Sequence, residues 1–135
     1  MTSDPGAEVE WPSHYPNQCP PADAAPAEGV FYRLVDELPP TGDDVLSHMQ
    51  IKLDGRRFQD RNFDDECMAS GLSLFNDDAP LLKKRAKLPA LRKKMLAKGD
   101  ISGPGKIKQS GADISHYTWW RPIGDNGWES FEVVT

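Results

Sequence analysis

A chain of 135 residues with a formal net charge of −5 has the length of one domain and can bury one modest core. No apolar run approaches the roughly 20 residues a membrane-spanning helix needs, and the start MTSDPGAEVEW lacks the basic and apolar regions of a secretory signal. The two cysteines, Cys19 and Cys67, are therefore expected as reduced thiols in a cytoplasmic protein.

Residues 1–29 read as a proline-rich acidic arm. Proline fixes φ and biases its predecessor toward extended backbone, while Trp11 and Tyr15 argue for rings docked on the domain, because disordered tails usually avoid aromatics. Residues 30–135 then form a single domain. VFYRLVDE, Val30–Glu37, is β-branched and aromatic and reads as a strand, with Phe31, Arg33 and Val35 on one face and Tyr32 and Leu34 on the other. Pro39-Pro40 stops it. Thr41 or Asp43 caps a short helix in DDVLSHMQ, and LDGRRFQDRNFDD is polar and turn-rich. In ECMASGLSLFND a short helix or turn ends at Gly71, and a small strand, Leu72 to Phe75, follows.

Asn76, Asp77 or Asp78 caps a helix with Pro80 in its first turn. Pro89 divides the helical stretch into pieces at 79–87 and 89–98, ended by Gly99, with Leu81, Leu82, Leu88, Leu91 and Met95 as the buried stripe. Strands near 105–109, 114–120 and 128–134, separated by turns at Gly111 and GDNG, read as a meander. The sum is an α+β domain with a small antiparallel sheet of four or five strands, two or three helices and an extended N-terminal arm.

Charge is segregated along this order. Residues 31–78 hold eleven acids against five basic residues, whereas 79–108 hold ten basic residues against the single acid Asp100. A basic third in an acidic chain suits a solvated helical face or a surface for an acidic partner. Lys83, Lys84, Lys93 and Lys94 are its leading residues. Nucleic acid is a weaker expectation, because no helix-turn-helix, finger or RNP pattern accompanies the lysines, and GPGKIK departs from a phosphate-binding GxxxxGKS loop.

SHYTWWRP, Ser115–Pro122, is the densest aromatic stretch. Alternation places His116, Thr118 and Trp120 on one face and Tyr117 and Trp119 on the other. A core strand explains it, and Tyr32, Tyr117 and Trp120 are the residues that would line a groove. Cys67 followed by His116 has the order of a cysteine hydrolase, but Asp64, Asp65 and Glu66 would raise the thiol pKa, so a small buried cysteine is the better reading. His14, Cys19, Cys67 and His116 lack zinc-ligand spacing, and no metal is expected.

WPSHYPNQCPP, FYRLVDELPPT, ECMASGLSLF and SHYTWWRPIG…WESFEVV together resemble a family of small uncharacterised bacterial proteins, over Trp11 to Val134. That resemblance implies an arm belonging to the fold, and no activity. Arg33, Ser73 and Glu132 also follow the chain order of ADP-ribosyltransferases of the arginine–serine–glutamate type. The Ser-Thr-Ser run is missing, and Glu129 and Glu132 stand three apart instead of in ExE spacing. Arg33 paired with Glu37 or Glu132 is the structural alternative.

The leading expectation is a non-catalytic cytosolic bacterial interaction protein that binds another protein through the basic helices or the aromatic groove, with no cofactor. One alternative is a nucleotide-binding or ADP-ribosyltransferase-like enzyme centred on Arg33 and His116, with Ser73 or Glu132 nearby and NAD or another nucleotide bound. The other is a nucleic-acid-binding accessory protein.

Overall fold

The computed structural model describes residues 10–38, 40–55 and 65–135, so most of the turn-rich stretch after Gly55 lies outside the described residues. Seven strands form one antiparallel sheet: β1 (Ala25–Pro26), β2 (Gly29–Val35), β3 (Leu72–Phe75), β4 (Met95–Ile101), β5 (Lys106–Gln109), β6 (His116–Trp120) and β7 (Glu132–Val133). Their order across the sheet is β1-β5-β6-β3-β2-β4-β7. Among the described residues three α-helices accompany it, α1 (His48–Leu53), α2 (Glu66–Ser70) and α3 (Ala79–Lys87). The architecture is α+β, with more strands than the four or five expected.

Local chemistry accounts for several boundaries. The Ser47 hydroxyl accepts the Gln50 amide and the Gln50 side chain accepts the Ser47 amide, a reciprocal cap that starts α1. Asp65 caps α2 through the Met68 amide. Pro80 sits in the first turn of α3 and Lys84, Arg85 and Lys87 in its last, which suits the helix dipole.

The expected helix at 89–98 is absent. Pro89–Leu91 forms one 3-10 turn, and β4 follows from Met95. Its residues pair one for one with β2, from Val35↔Met95 to Gly29↔Ile101. Strong helix formers in MLAKGDI yield because the strand buries alternate residues in the centre of the sheet, a tertiary gain that outweighs propensity. Met95 thus belongs to a strand and Leu88 is exposed at 49%, so the expected helical stripe does not extend past Leu82. Gly99 lies inside β4 and ends nothing. A Cβ there would meet the Phe131 ring at 2.5–2.7 Å, so glycine is the residue that admits that ring.

The expected meander is also broken. β5 and β6 form a hairpin, but β7 pairs with β4 at the opposite edge. The segment between them crosses one face through a 3-10 turn at Gly127–Ser130. That crossing covers the larger core, where Phe31, Val35, Leu72, Leu74, Ala97, Ile101, Trp119 and Phe131 meet. The other face carries a smaller cluster, Phe75, Leu81 and Leu96, beneath α3.

The arm is held at several points. The Ile123 amide donates to the Glu10 carbonyl at 2.8 Å, the Tyr15 hydroxyl donates to the Arg121 carbonyl at 3.4 Å, and β1 pairs with β5. Cys19 and Cys67 are joined in a disulfide with a Cα–Cα distance of 5.6 Å. This overturns the expectation of two reduced thiols. Sequence spacing carried no sign of the bond, because its partners are 48 residues apart and come together only when the arm crosses α2.

Candidate functional site

The cross-strand row Tyr32↔Phe75↔His116 places these three side chains on one face. Arg33, next to Tyr32, points to the opposite face. Ser73 lies two residues from Phe75, and Glu132 pairs with Lys98, itself opposite Tyr32. Ser73, His116 and Glu132 therefore share the face that Arg33 leaves. Arg33 and His116 do not converge in one cleft.

Arg33 has a structural task instead. β2 and β3 pair at a single position and then diverge. The Arg33 side chain fills the gap, donating from Nε to the Asp44 carbonyl at 2.9 Å and from Nη1 to the Ser73 carbonyl at 2.7 Å. Loss of solvation draws its guanidinium down to about 10, against the opposing field of Asp44. It meets Ser73 through the backbone only, and its hydrogen-bond partners are carbonyls rather than the Glu37 or Glu132 carboxylates.

His116 is half-buried. Its Nδ1 lies 3.0 Å from both the hydroxyl and the carbonyl oxygen of Ser110, and its ring meets Phe75 edge-on at 5.0 Å. The Ser110 hydroxyl also bonds Thr118 at 2.8 Å. These contacts close the β5–β6 hairpin. The aromatic residues expected to line a groove are packed: Trp120 is fully buried with Nε1 donating to the Cys67 carbonyl at 2.8 Å, Tyr117 meets Phe31 at 5.4 Å, and Tyr32 packs on the cluster beneath α3. Cys67, held in the disulfide, is not a free nucleophile.

The basic segment separates into engaged and unengaged cations. Lys94 pairs with Asp36 at 2.8 Å and Lys108 with Asp23 at 2.9 Å. Arg85 donates to the Lys94 and Thr135 carbonyls. Lys83, Lys84, Lys87, Arg92 and Lys93 are exposed and make no ion pair with a described residue. Lys84 lies 5.1 Å from the centre of the Phe75 ring. Hydrogen bonds from Ser115, and more weakly the Lys84 field, hold the Asp113 carboxyl below its ordinary range.

A cavity of about 380 Å³ opens where β6 ends. Four distant segments wall it: Pro12–Tyr15 from the arm, Val45, Ser47 and Gln50 around the start of α1, Ser70 and Leu72 at the α2–β3 junction, and Trp119 with Arg121–Asp125. The Arg121 guanidinium stacks over the Trp119 ring at 5.6 Å. Burial pulls Arg121 below the ordinary range of a guanidinium, with Asp125 and Tyr15 opposing that shift. Burial likewise lowers His14. The sequence points to these residues only indirectly: His14 as a zinc ligand without the spacing for one, Tyr15 as a docked ring, and Arg121 as part of SHYTWWRP.

Tyr15 provides a pH-dependent check on this wall. Burial pushes its phenol up to about 12, with the Arg121 carbonyl contact and the Arg121 charge opposing. The folded protein therefore holds the Tyr15 proton more tightly than the unfolded chain, whose phenol titrates near about 10. Stability from this source is complete below about 10 and falls as pH rises toward about 12. Tyr15→Phe is expected to flatten that alkaline loss in urea midpoints measured across the window. An unchanged slope would place Tyr15 in solvent.

Among the described residues no helix is long and apolar enough to cross a membrane, and no cluster of three or more His, Cys, Asp or Glu side chains is placed to hold a metal ion. No family model, curated protein or solved structure matches the chain.

Proposed function

We propose that the protein is a non-catalytic binding domain that docks an acidic protein partner on the corner formed by α3 and the turn at Pro89–Leu91. One observation carries this reading: Lys83, Lys84, Lys87, Arg92 and Lys93 are exposed cations that make no ion pair with a described residue, while Lys94 and Lys108 are neutralised within the chain. Leu88, half-exposed among them, adds an apolar contact of the kind found inside a polar rim. A protein partner is favoured over nucleic acid because the remainder of the chain is acidic and would repel an extended polyanion. The Cys19–Cys67 bond favours an oxidising compartment over the reducing cytoplasm. A nucleotide site spanning Arg33 and His116 is not proposed, since the two occupy opposite faces.

The test is binding to a labelled poly-glutamate peptide, followed by fluorescence anisotropy at low and moderate salt. The wild type should bind in a salt-sensitive manner. Changing the five cations to glutamine should weaken binding by about 1–5 kcal/mol, since each exposed pair contributes about 0.2–1 kcal/mol. Equal binding by both proteins removes the basic corner from the reading. Tighter binding to a DNA duplex than to the peptide would favour nucleic acid.

A further inference from the structure

We propose that the cavity beneath the arm binds a small organic oxyanion, a carboxylate or phosphate monoester with an apolar body, through the guanidinium of Arg121. The polar atoms lining the cavity are mostly committed to their own backbone. The Ser47 hydroxyl accepts the Gln50 amide and the Gln50 carbonyl oxygen accepts the Ser47 amide. The Ser70 hydroxyl donates to the Glu66 carbonyl. Asp125 bears on Arg121 through its field, yet its Oδ2 accepts the Gly127 amide at 3.2 Å.

Among the described residues two buried side-chain atoms remain without a hydrogen-bond partner, Nη1 of Arg121 and Nε2 of His14, and both residues line this cavity. A buried guanidinium N–H without an acceptor is costly, and an oxyanion supplies the acceptor with charge assistance. His14, which also lines the cavity, offers a neutral imidazole nitrogen that can donate to a second ligand oxygen in one tautomer. Stacking on Trp119 orients the guanidinium before a ligand enters, and the Tyr15 contact to the Arg121 carbonyl ties the main chain that carries it to the arm. The volume of about 380 Å³ is in the range of small-molecule sites and exceeds what a bare oxyanion fills. Val45 and Leu72, which also line the cavity, suit an apolar body.

The experiment uses the full disulfide-bonded chain. The Nε–H resonance of Arg121 is followed by NMR during titration with benzoate, inorganic phosphate and benzamide, the neutral analogue of benzoate. A saturable shift is expected with an oxyanion. Benzamide should bind about tenfold to a hundredfold more weakly than benzoate, the loss of one charge-assisted hydrogen bond. A shift with benzoate alone assigns a carboxylate ligand, and a shift with phosphate alone assigns a phosphate-bearing one. Arg121→Gln should abolish binding of either, and Arg121→Lys, which keeps the charge but loses the planar fork, should weaken it. Equal binding of benzoate and benzamide, no saturable shift with any probe, or benzoate affinity retained in a folded Arg121→Gln protein would overturn the proposal. The wild-type comparison of benzoate and phosphate with neutral benzamide decides the matter even if a variant fails to fold.

Discussion

Replacing Cys19 and Cys67 together by serine is expected to lower the free energy of unfolding by about 4 kcal/mol, the chain-entropy contribution of a cross-link closing a long loop. The bond spans 48 residues, so reduction releases a large part of the denatured chain from constraint. The arm would retain the Glu10 contact with Ile123, the β1–β5 pairing and the Lys108–Asp23 ion pair. The loss should therefore appear first near residues 12–19, where the arm walls the cavity. Urea denaturation with and without reductant measures the effect, and hydrogen exchange locates it. A reduced protein as stable as the oxidised one would mean that these noncovalent contacts already hold the arm.

Trp120→Ala should cost about 3–5 kcal/mol, as large-to-small changes at fully packed aromatic positions do. Trp120 is fully buried and among the largest such side chains in the molecule. Its truncation opens a cavity and strands the Cys67 carbonyl that Nε1 serves at 2.8 Å. Trp120→Phe separates these effects: most of the ring volume stays while the hydrogen bond is lost, with an expected cost of about 1–3 kcal/mol for the unsatisfied acceptor. The indole is packed closely against α2's end, since a Cβ at Gly71 would meet the Trp120 ring at 3.1–3.2 Å. A Trp120→Ala protein of unchanged stability that had lost binding to a partner would show Trp120 to be part of a groove after all. Denaturant midpoints and partner affinity, measured on the same samples, distinguish the cases.

Residue-level patterns in the chain were sufficient for much of the local structure. Alternation in VFYRLV and HYTWW assigned the two faces of β2 and β6, because a strand exposes its period of two directly. Gly71 marked the boundary between α2 and β3, and Pro80 with the acids before it marked the start of α3. The concentration of lysines at 83–94 needed no structure to be seen. Which of them are already neutralised did, since Asp36 lies 58 residues from Lys94.

By itself, then, the sequence determined the α+β class, the faces of individual strands and the segregation of charge, all properties of neighbouring residues. Tertiary structure alone decided that MLAKGDI is a central strand, that β7 crosses to the far edge and that Cys19 meets Cys67. It also set Arg33 and His116 on opposite faces and brought His14 and Arg121 to one cavity. The physical reason is common to these cases. Strand pairing, a disulfide and a cavity join residues through contacts distant along the chain, whose energy appears only when the sheet is assembled, while propensity and periodicity report on the nearest turn or pleat.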